Sequence, residues 1–205
     1  MVCATFWYQD VRYLLPTPRP AALPEVSRGQ AVSLPPSLLA ARGDERPLLL
    51  HFFNPDCPCS RFNADHVRAL RQRFGDRVRF VAVAQVADGQ QADVHSRGML
   101  AAGRLFGPGT EATVDGDGRI AAACGVYSTP QAAILSGGAS RTLLFRGNYN
   151  AARYCVDPET EFVRQALEAF VHAKPIPSPV RAAMVAYGCE LPANVAAVHA
   201  PSTPL

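Results

Sequence analysis

Cys57-Pro58-Cys59-Ser60 is the segment of this chain whose residue types and spacing can do chemistry. Two thiols one residue apart follow an apolar run, residues 48–53, and precede a stretch with helical character, residues 61–74. A helix N-terminus presents unpaired backbone N–H groups and a partial positive charge, and both favour a thiolate over a thiol. Cys57 is therefore the candidate nucleophile, with a thiol pKa of roughly 3.5 to 7.5 expected for such a position. The competing reading is a pair of buried structural cysteines. Pro58 in the first helical turn and the polar Ser60-Arg61 favour an accessible edge over a core.

The elements that must position these thiols follow from hydrophobic pattern and punctuation. Residues 46–53 read as a buried strand, bounded by Gly43-Asp44 and Asn54-Pro55, with the cysteines at its carboxyl end. The next helix places Phe62, Val67, Leu70 and Phe74 on one side and stops at Gly75-Asp76. Residues 78–86 are apolar through most of their length, as in a central parallel strand covered on both faces. A second helix is expected over 91–106, a short strand over 111–114 and a helical turn or two over 120–124. Residues 131–135 and 141–146 flank Ser136-Gly137-Gly138-Ala139-Ser140 and predict an antiparallel hairpin. Asp157-Pro158 then caps a helix whose stripe is Phe162, Val163, Ala166, Leu167, Phe170 and Val171.

Outside these elements the chain is rich in proline. Leu15-Pro16-Thr17-Pro18-Arg19-Pro20 and Leu34-Pro35-Pro36 predict an extended, semi-rigid spacer, because each proline fixes φ and biases its predecessor away from helix. Beyond Ala173 a second proline-rich stretch predicts an extended tail with a short helical piece over 180–186. The expected organisation is an N-terminal apolar arm and Pro-rich linker over 1–45, one α/β domain over 46–172 and a C-terminal extension over 173–205.

A chain of 205 residues with 48% hydrophobic content can bury a sizeable core. Its 20 basic and 17 acidic side chains leave a net charge of +3 with the arginines scattered, which argues against nucleic acid as a partner. Six cysteines exceed the usual cytosolic complement yet lack the paired Cys-x-x-Cys knuckles of a structural zinc site, so an oxidising compartment fits better. The first eight residues, MVCATFWY, are almost wholly apolar but far short of the ~20 residues of a spanning helix. They are expected to be either the exit end of an upstream membrane anchor or a short arm packed on the domain.

The order strand, cysteine turn, helix, strand, helix, then Thr129-Pro130 entering a hairpin and a final helix, resembles the thioredoxin-like fold over residues 46–172. Its specific markers are His51-Phe52-Phe53-Asn54-Pro55-Asp56-Cys57-Pro58-Cys59-Ser60 and Ser128-Thr129-Pro130, which matches the cis-proline of that family. The longer segment 88–126 is similar to the insertion of membrane-tethered bacterial thioredoxins and peroxiredoxin-related redoxins. Gly188-Cys189 is similar to a tail of some redoxin-domain proteins. The resemblance implies an α/β three-layer sandwich around a central mixed sheet. It also implies thiol–disulfide exchange with protein thiols or disulfides, no cofactor, and a bacterial periplasmic or membrane-face location.

Two departures qualify what is carried over. Where Cys-x-x-Cys would place the buried resolving thiol, this chain has Ser60, so Cys59 is its nearest substitute. A Cys-x-Cys ring is small, and the bond across it is expected to be easily reduced, with an oxidising or isomerising poise. His51 falls where thioredoxins often carry a buried acid. The implied roles are Cys57 as nucleophile, Cys59 or an external thiol resolving, His51 as proton acceptor, and Thr129 and Pro130 as the edge on which an extended peptide docks. His51 is read equally well as a strand histidine satisfied by a backbone partner, and Thr129-Pro130 as an ordinary tight turn.

The other cysteines carry separate expectations. A bridge between Cys155 and Cys189 would pin the tail to the last helix, one of fifteen ways to pair six cysteines. Cys124, in an alanine-rich segment, is expected in the core. The alternative functions are Cu(I) binding by Cys57 and Cys59 with His51 or His66, a peroxide reductase, and a non-catalytic protein-binding domain. Peroxide reduction ranks low because no Pro-x-x-x-Thr-x-x-Cys pattern surrounds Cys57.

Overall fold

Six consecutive apolar or aromatic residues, Leu48–Phe53, make a strand (β1) buried along its whole length. A computed structural model describes residues 7, 15–39, 44–86, 91–138, 140–151 and 157–193. Side chains alternate across a strand, so one buried on both faces needs a covering layer on each. Leu49 and Phe53 point to one layer, where Val67, Leu70, Phe74, Phe106, Val163 and Leu167 meet them. These come from three helices, α2 (Ala64–Phe74), α3 (Gln91–Phe106) and α5 (Phe162–Val171). Leu48, Leu50 and Phe52 point the other way, onto Val26, Val32, Leu38, Ile120 and Cys124. Burying each Leu, Phe or Val contributes about 1.5–3 kcal/mol.

The central sheet has the order β3-β2-β1-β5-β6. On one side β1 pairs parallel with β2 (Arg79–Ala84), which pairs parallel with β3 (Glu111–Val114). On the other, β1 pairs antiparallel with β5 (Gln131–Leu135), and β5 with β6 (Leu143–Gly147). The short helix α4 (Arg119–Ala123) lies on the second face, and the buried Asp115 carboxylate caps it by accepting from the backbone N–H groups of Ile120 and Ala121. The mixed sheet, its two covering layers and the cis peptide bond between Thr129 and Pro130 make this a thioredoxin-like fold. Strands 111–114 and 131–135 and helix 91–106 fall where the sequence pattern places them.

Some expected elements take a different form. The helix expected over 61–74 is two, α1 (Pro58–Phe62) and α2, broken at Asn63. The break turns Phe62 outward, so this residue expected on the apolar face is 53% exposed. Asp157 caps a 3-10 turn, Pro158–Thr160, by accepting from the Glu159 N–H, and α5 begins only after Glu161. Residues 15–35 are extended between short turns, as expected of a spacer, but Pro36–Leu38 form a 3-10 turn, and the whole segment lies against the domain. Gly29 and Val32 donate backbone N–H groups to the carbonyls of Leu143 and Arg141 at 2.7 and 2.8 Å, and Ala31 bridges Thr142, so this segment covers the open edge of β6. Two more strands, β4 (Ser128–Thr129) and β7 (Cys189–Glu190), form a small separate sheet. Between β6 and β7 lies the one-turn helix α6 (Arg181–Met184). Among the described residues no helix is long and apolar enough to cross a membrane. Save for Trp7, the first eight residues lie outside the described residues, as do Cys3 and Cys155.

Candidate active site

The turn after β1 is held by its own polar groups. Cys57 donates its N–H to the Asn54 carbonyl at 3.1 Å, and Asp56 donates to the Asn54 side chain at 2.8 Å. Ser60, wholly buried, accepts from the Asn54 N–H through its hydroxyl at 3.0 Å. Where the resolving thiol of a Cys-x-x-Cys pair would stand, this chain has a hydrogen-bond tether. The tether fixes Cys57 as the N-cap of α1, with Pro58 in the first turn.

Cys57 is bonded to Cys189, across 132 residues of sequence and a Cα–Cα distance of 6.3 Å. This corrects two expectations. The bridge proposed for Cys155 and Cys189 is not made, and Cys59, expected to pair with Cys57, is instead a buried thiol. The Sγ atoms of Cys57, Cys59 and Cys189 nevertheless lie within 4.8 Å of one another. The expectation of an accessible edge also fails for Cys57 itself, which is only 3% exposed because the tail crosses over it.

That crossing is a built arrangement. In β7, Cys189 is the antiparallel partner of Thr129, and Glu190 of Ser128, directly before the cis-proline Pro130. The Ser128 hydroxyl donates to the Cys189 carbonyl at 3.1 Å. Thr17, from the N-terminal segment, donates its N–H to the Ala186 carbonyl at 2.8 Å, and its hydroxyl lies 3.2 Å from that of Ser128. Asn148 donates to the carbonyls of Ala182 and Val185, and the Tyr127 hydroxyl accepts from the Ala186 N–H at 3.1 Å. Gly188 sits at φ +143°, and a Cβ there would run into the Thr129 carbonyl oxygen, so glycine lets the tail approach this closely. Thr129 and Pro130 thus stand where an extended strand is received, and the strand received is the chain's own.

His51 lies in β1 on the face of Phe53, boxed by Phe53, Phe106 and Tyr149. The buried Tyr149 hydroxyl, whose pKa burial pushes well above its ordinary value, is hydrogen-bonded to His51 Nδ1 at 2.7 Å. Burial, with the neighbouring His66 second, takes the His51 pKa down to about 3, so the ring is neutral at pH 7. This environment pairs Nδ1 with a side chain rather than with the backbone partner expected of a strand histidine, and leaves the buried Nε2 without a hydrogen-bond partner among the described residues. It also makes the fold acid-sensitive. The folded chain leaves His51 unprotonated down to about pH 3, whereas the unfolded chain protonates it near 6.5. The resulting stability is fully present above pH 6.5 and is lost as pH falls toward 3, at about 1.4 kcal/mol per unit. Urea unfolding should therefore show a loss of about 3 kcal/mol between pH 6.5 and pH 4 that His51→Gln largely removes; equal slopes for both chains would refute it.

His66 packs its ring edge on Tyr149 and lies 3.9 Å from Glu161, with its pKa lowered chiefly by burial. Neither histidine belongs to the sulfur cluster. Cys124 is a core thiol as expected, its pKa pushed up to about 12 by burial and then by Asp115. Thr17, Tyr127, Asn148 and Cys189 are the site residues that sequence reasoning missed or misassigned. The one available signal was the Gly188-Cys189 pair, a residue without a Cβ directly before a thiol.

Residues 25–190 match the model of a family described as Domain of unknown function (DUF6436). No curated protein matches the chain in sequence. Among solved structures, an uncharacterized conserved protein from Geobacillus kaustophilus is similar with a TM-score of 0.64 at 18% identity, over 92% of this chain and 100% of that one. A hypothetical protein from Sinorhizobium meliloti 1021 is similar with a TM-score of 0.63 at 18% identity, over 82% of this chain and 96% of that one. At such identities the likeness is one of fold. A secreted disulfide oxidoreductase of Mycobacterium tuberculosis gives a TM-score of 0.38 at 21% identity, over 48% of this chain and 68% of that one, too loose a likeness to carry an argument.

Proposed function

We propose that this chain, which belongs to the family described as Domain of unknown function (DUF6436), is a thiol–disulfide oxidoreductase whose redox couple is Cys57 and Cys189. The observation that carries the reading is the Cys57–Cys189 bond lying on the Ser128–Thr129 edge beside Pro130. In a thioredoxin-like fold that edge is suited to an extended cysteine-bearing segment, and β7 occupies it as such a segment would.

In the reduced chain the Cys57 thiolate attacks one sulfur of a partner protein's disulfide, the partner's second sulfur leaves as a thiolate, and a mixed disulfide remains. The Cys189 thiolate then attacks the Cys57 sulfur, and the partner departs with both cysteines reduced. Two electrons pass from the Cys57–Cys189 dithiol to the partner, and an external dithiol returns them. Partner and tail use the same edge, so the partner displaces β7 from the reduced chain as it docks, and the return of β7 expels it. Thr129 and Pro130 supply the docking edge, and Ser60 and Asn54 hold Cys57 at the start of α1. Cys59 adds a third sulfur to the site without being the required resolving group. An oxidising compartment such as the bacterial periplasm suits both the cysteine content and the disulfide.

The test is equilibration in glutathione buffers of graded ratio, followed by differential alkylation and peptide mass spectrometry. The expected result is one reversible two-electron transition in which Cys57 and Cys189 are protected together while Cys59 is alkylated once the chain is unfolded. A Cys57–Cys59 bond as the dominant oxidised species, or cysteines inert at every ratio, would defeat the reading.

A further inference from the structure

We propose that reduction turns the three sulfurs of Cys57, Cys59 and Cys189 into a three-coordinate site for Cu(I). The sulfurs already lie within 4.8 Å of one another, and among the described residues no histidine, carboxylate or further thiol joins them. A metal–sulfur bond of about 2.3 Å sets three sulfurs in a plane around one ion about 4 Å apart, inside that limit. The donor set selects among metals. All-thiolate ligation favours soft ions and excludes calcium, magnesium and manganese, and a structural zinc site would require a fourth protein ligand that this cluster lacks.

The sulfurs are held together by more than the bond between two of them. Cys57 and Cys59 are fixed by the turn at Asn54 and the first turn of α1, and are 3% and 4% exposed. Cys189 is held over them by its pairing with Thr129, by the Ser128 hydroxyl on its carbonyl, and by the Thr17 contacts to the tail. None of these depends on the disulfide, so breaking it frees two thiols while the backbone keeps all three sulfurs converged. Histidine plays no part: His51 is committed to Tyr149 and His66 faces Glu161.

Binding is a ligand exchange without electron transfer. Two electrons from a phosphine reductant first open the Cys57–Cys189 bond, water supplying the oxygen of the phosphine oxide; the thiols then lose their protons to solvent as three Cu–S bonds form, and copper stays Cu(I). The inference stands apart from the oxidoreductase reading, since a metal-free chain can cycle its disulfide whether or not the reduced form takes copper.

The full-length chain, reduced with phosphine under anaerobic conditions, is titrated with Cu(I) against bicinchoninate as a coloured competitor, and the copper is examined by X-ray absorption. One Cu(I) per chain with three sulfurs at about 2.3 Å is expected. Loss of a group that only hydrogen-bonds to a metal ligand already costs metal sites about 10–100-fold, so Cys59→Ser and Cys189→Ser should each weaken binding by about 100-fold or more. His66→Gln should leave it unchanged, and circular dichroism checks that each variant is folded. Wild-type affinity in Cys189→Ser, a two-sulfur spectrum, or tighter binding of Zn(II) than of Cu(I) would overturn the proposal. A chain that binds no copper yet cycles Cys57–Cys189 in glutathione buffers would overturn it and leave the oxidoreductase reading standing; copper binding without that cycling would do the reverse.

Discussion

Cys57→Ser should abolish exchange with a disulfide-bonded partner, lowering the rate by roughly 10⁴-fold, because covalent catalysis is lost with the thiol that caps α1 and attacks the partner. Cys189→Ser should behave differently. It keeps the attacking thiol and the docking edge but loses the group that resolves the mixed disulfide, so the partner should accumulate in covalent linkage to Cys57. Cys59→Ser should resolve at close to the wild-type rate. Non-reducing electrophoresis of each variant after mixing with a disulfide-bonded model protein separates these cases. Accumulation of the adduct in Cys59→Ser, with normal turnover in Cys189→Ser, would return the resolving role to Cys59.

Reducing the Cys57–Cys189 bond should lower the unfolding free energy by about 2–5 kcal/mol. The bond closes a loop across 132 residues of sequence, and a loop of that size restricts the unfolded chain by about 5 kcal/mol in the chain-entropy account, at the top of the usual measured range. For a chain of this size that corresponds to a fall in Tm of about 5–15 °C. Thermal unfolding with and without reductant reads the shift directly, and Cys189→Ser serves as the control. The variant should unfold where the reduced wild type does and be indifferent to reductant. A wild-type Tm unmoved by reductant, with the bond shown broken by mass spectrometry, would contradict the estimate.

The two predictions depend on different parts of the chain, and those parts were unequally visible in the sequence. Position 57 was legible because its cause is local. An apolar strand, a short polar turn and a proline at a helix start specify an N-terminal cysteine whatever the rest of the chain does. The break at Asn63 was not legible, since the pattern Phe62, Val67, Leu70, Phe74 reads as one continuous stripe, and only packing shows that Phe62 turns outward. His51 was visible as a histidine inside an apolar strand. Its depressed pKa follows from Phe53, Phe106, Tyr149 and His66, whose closeness no periodicity encodes.

Sequence by itself determined the order of the five central strands, the burial of β1, the cysteine turn at its end and a Thr129-Pro130 turn before the hairpin. These are set by periods of 2 and 3.6 residues and by residues such as proline and glycine that act on their own backbone. Tertiary structure alone decided which cysteine partners Cys57. Fifteen pairings of six cysteines are equal on paper, and the choice depends on which backbone segments meet. Here Thr17, Tyr127, Ser128 and Asn148 hold the tail on one edge, and the absence of a Cβ at Gly188 lets it come close enough for Cys189 to reach. Contacts between residues so far apart in the chain leave no local pattern, because each requires the rest of the fold to be in place first.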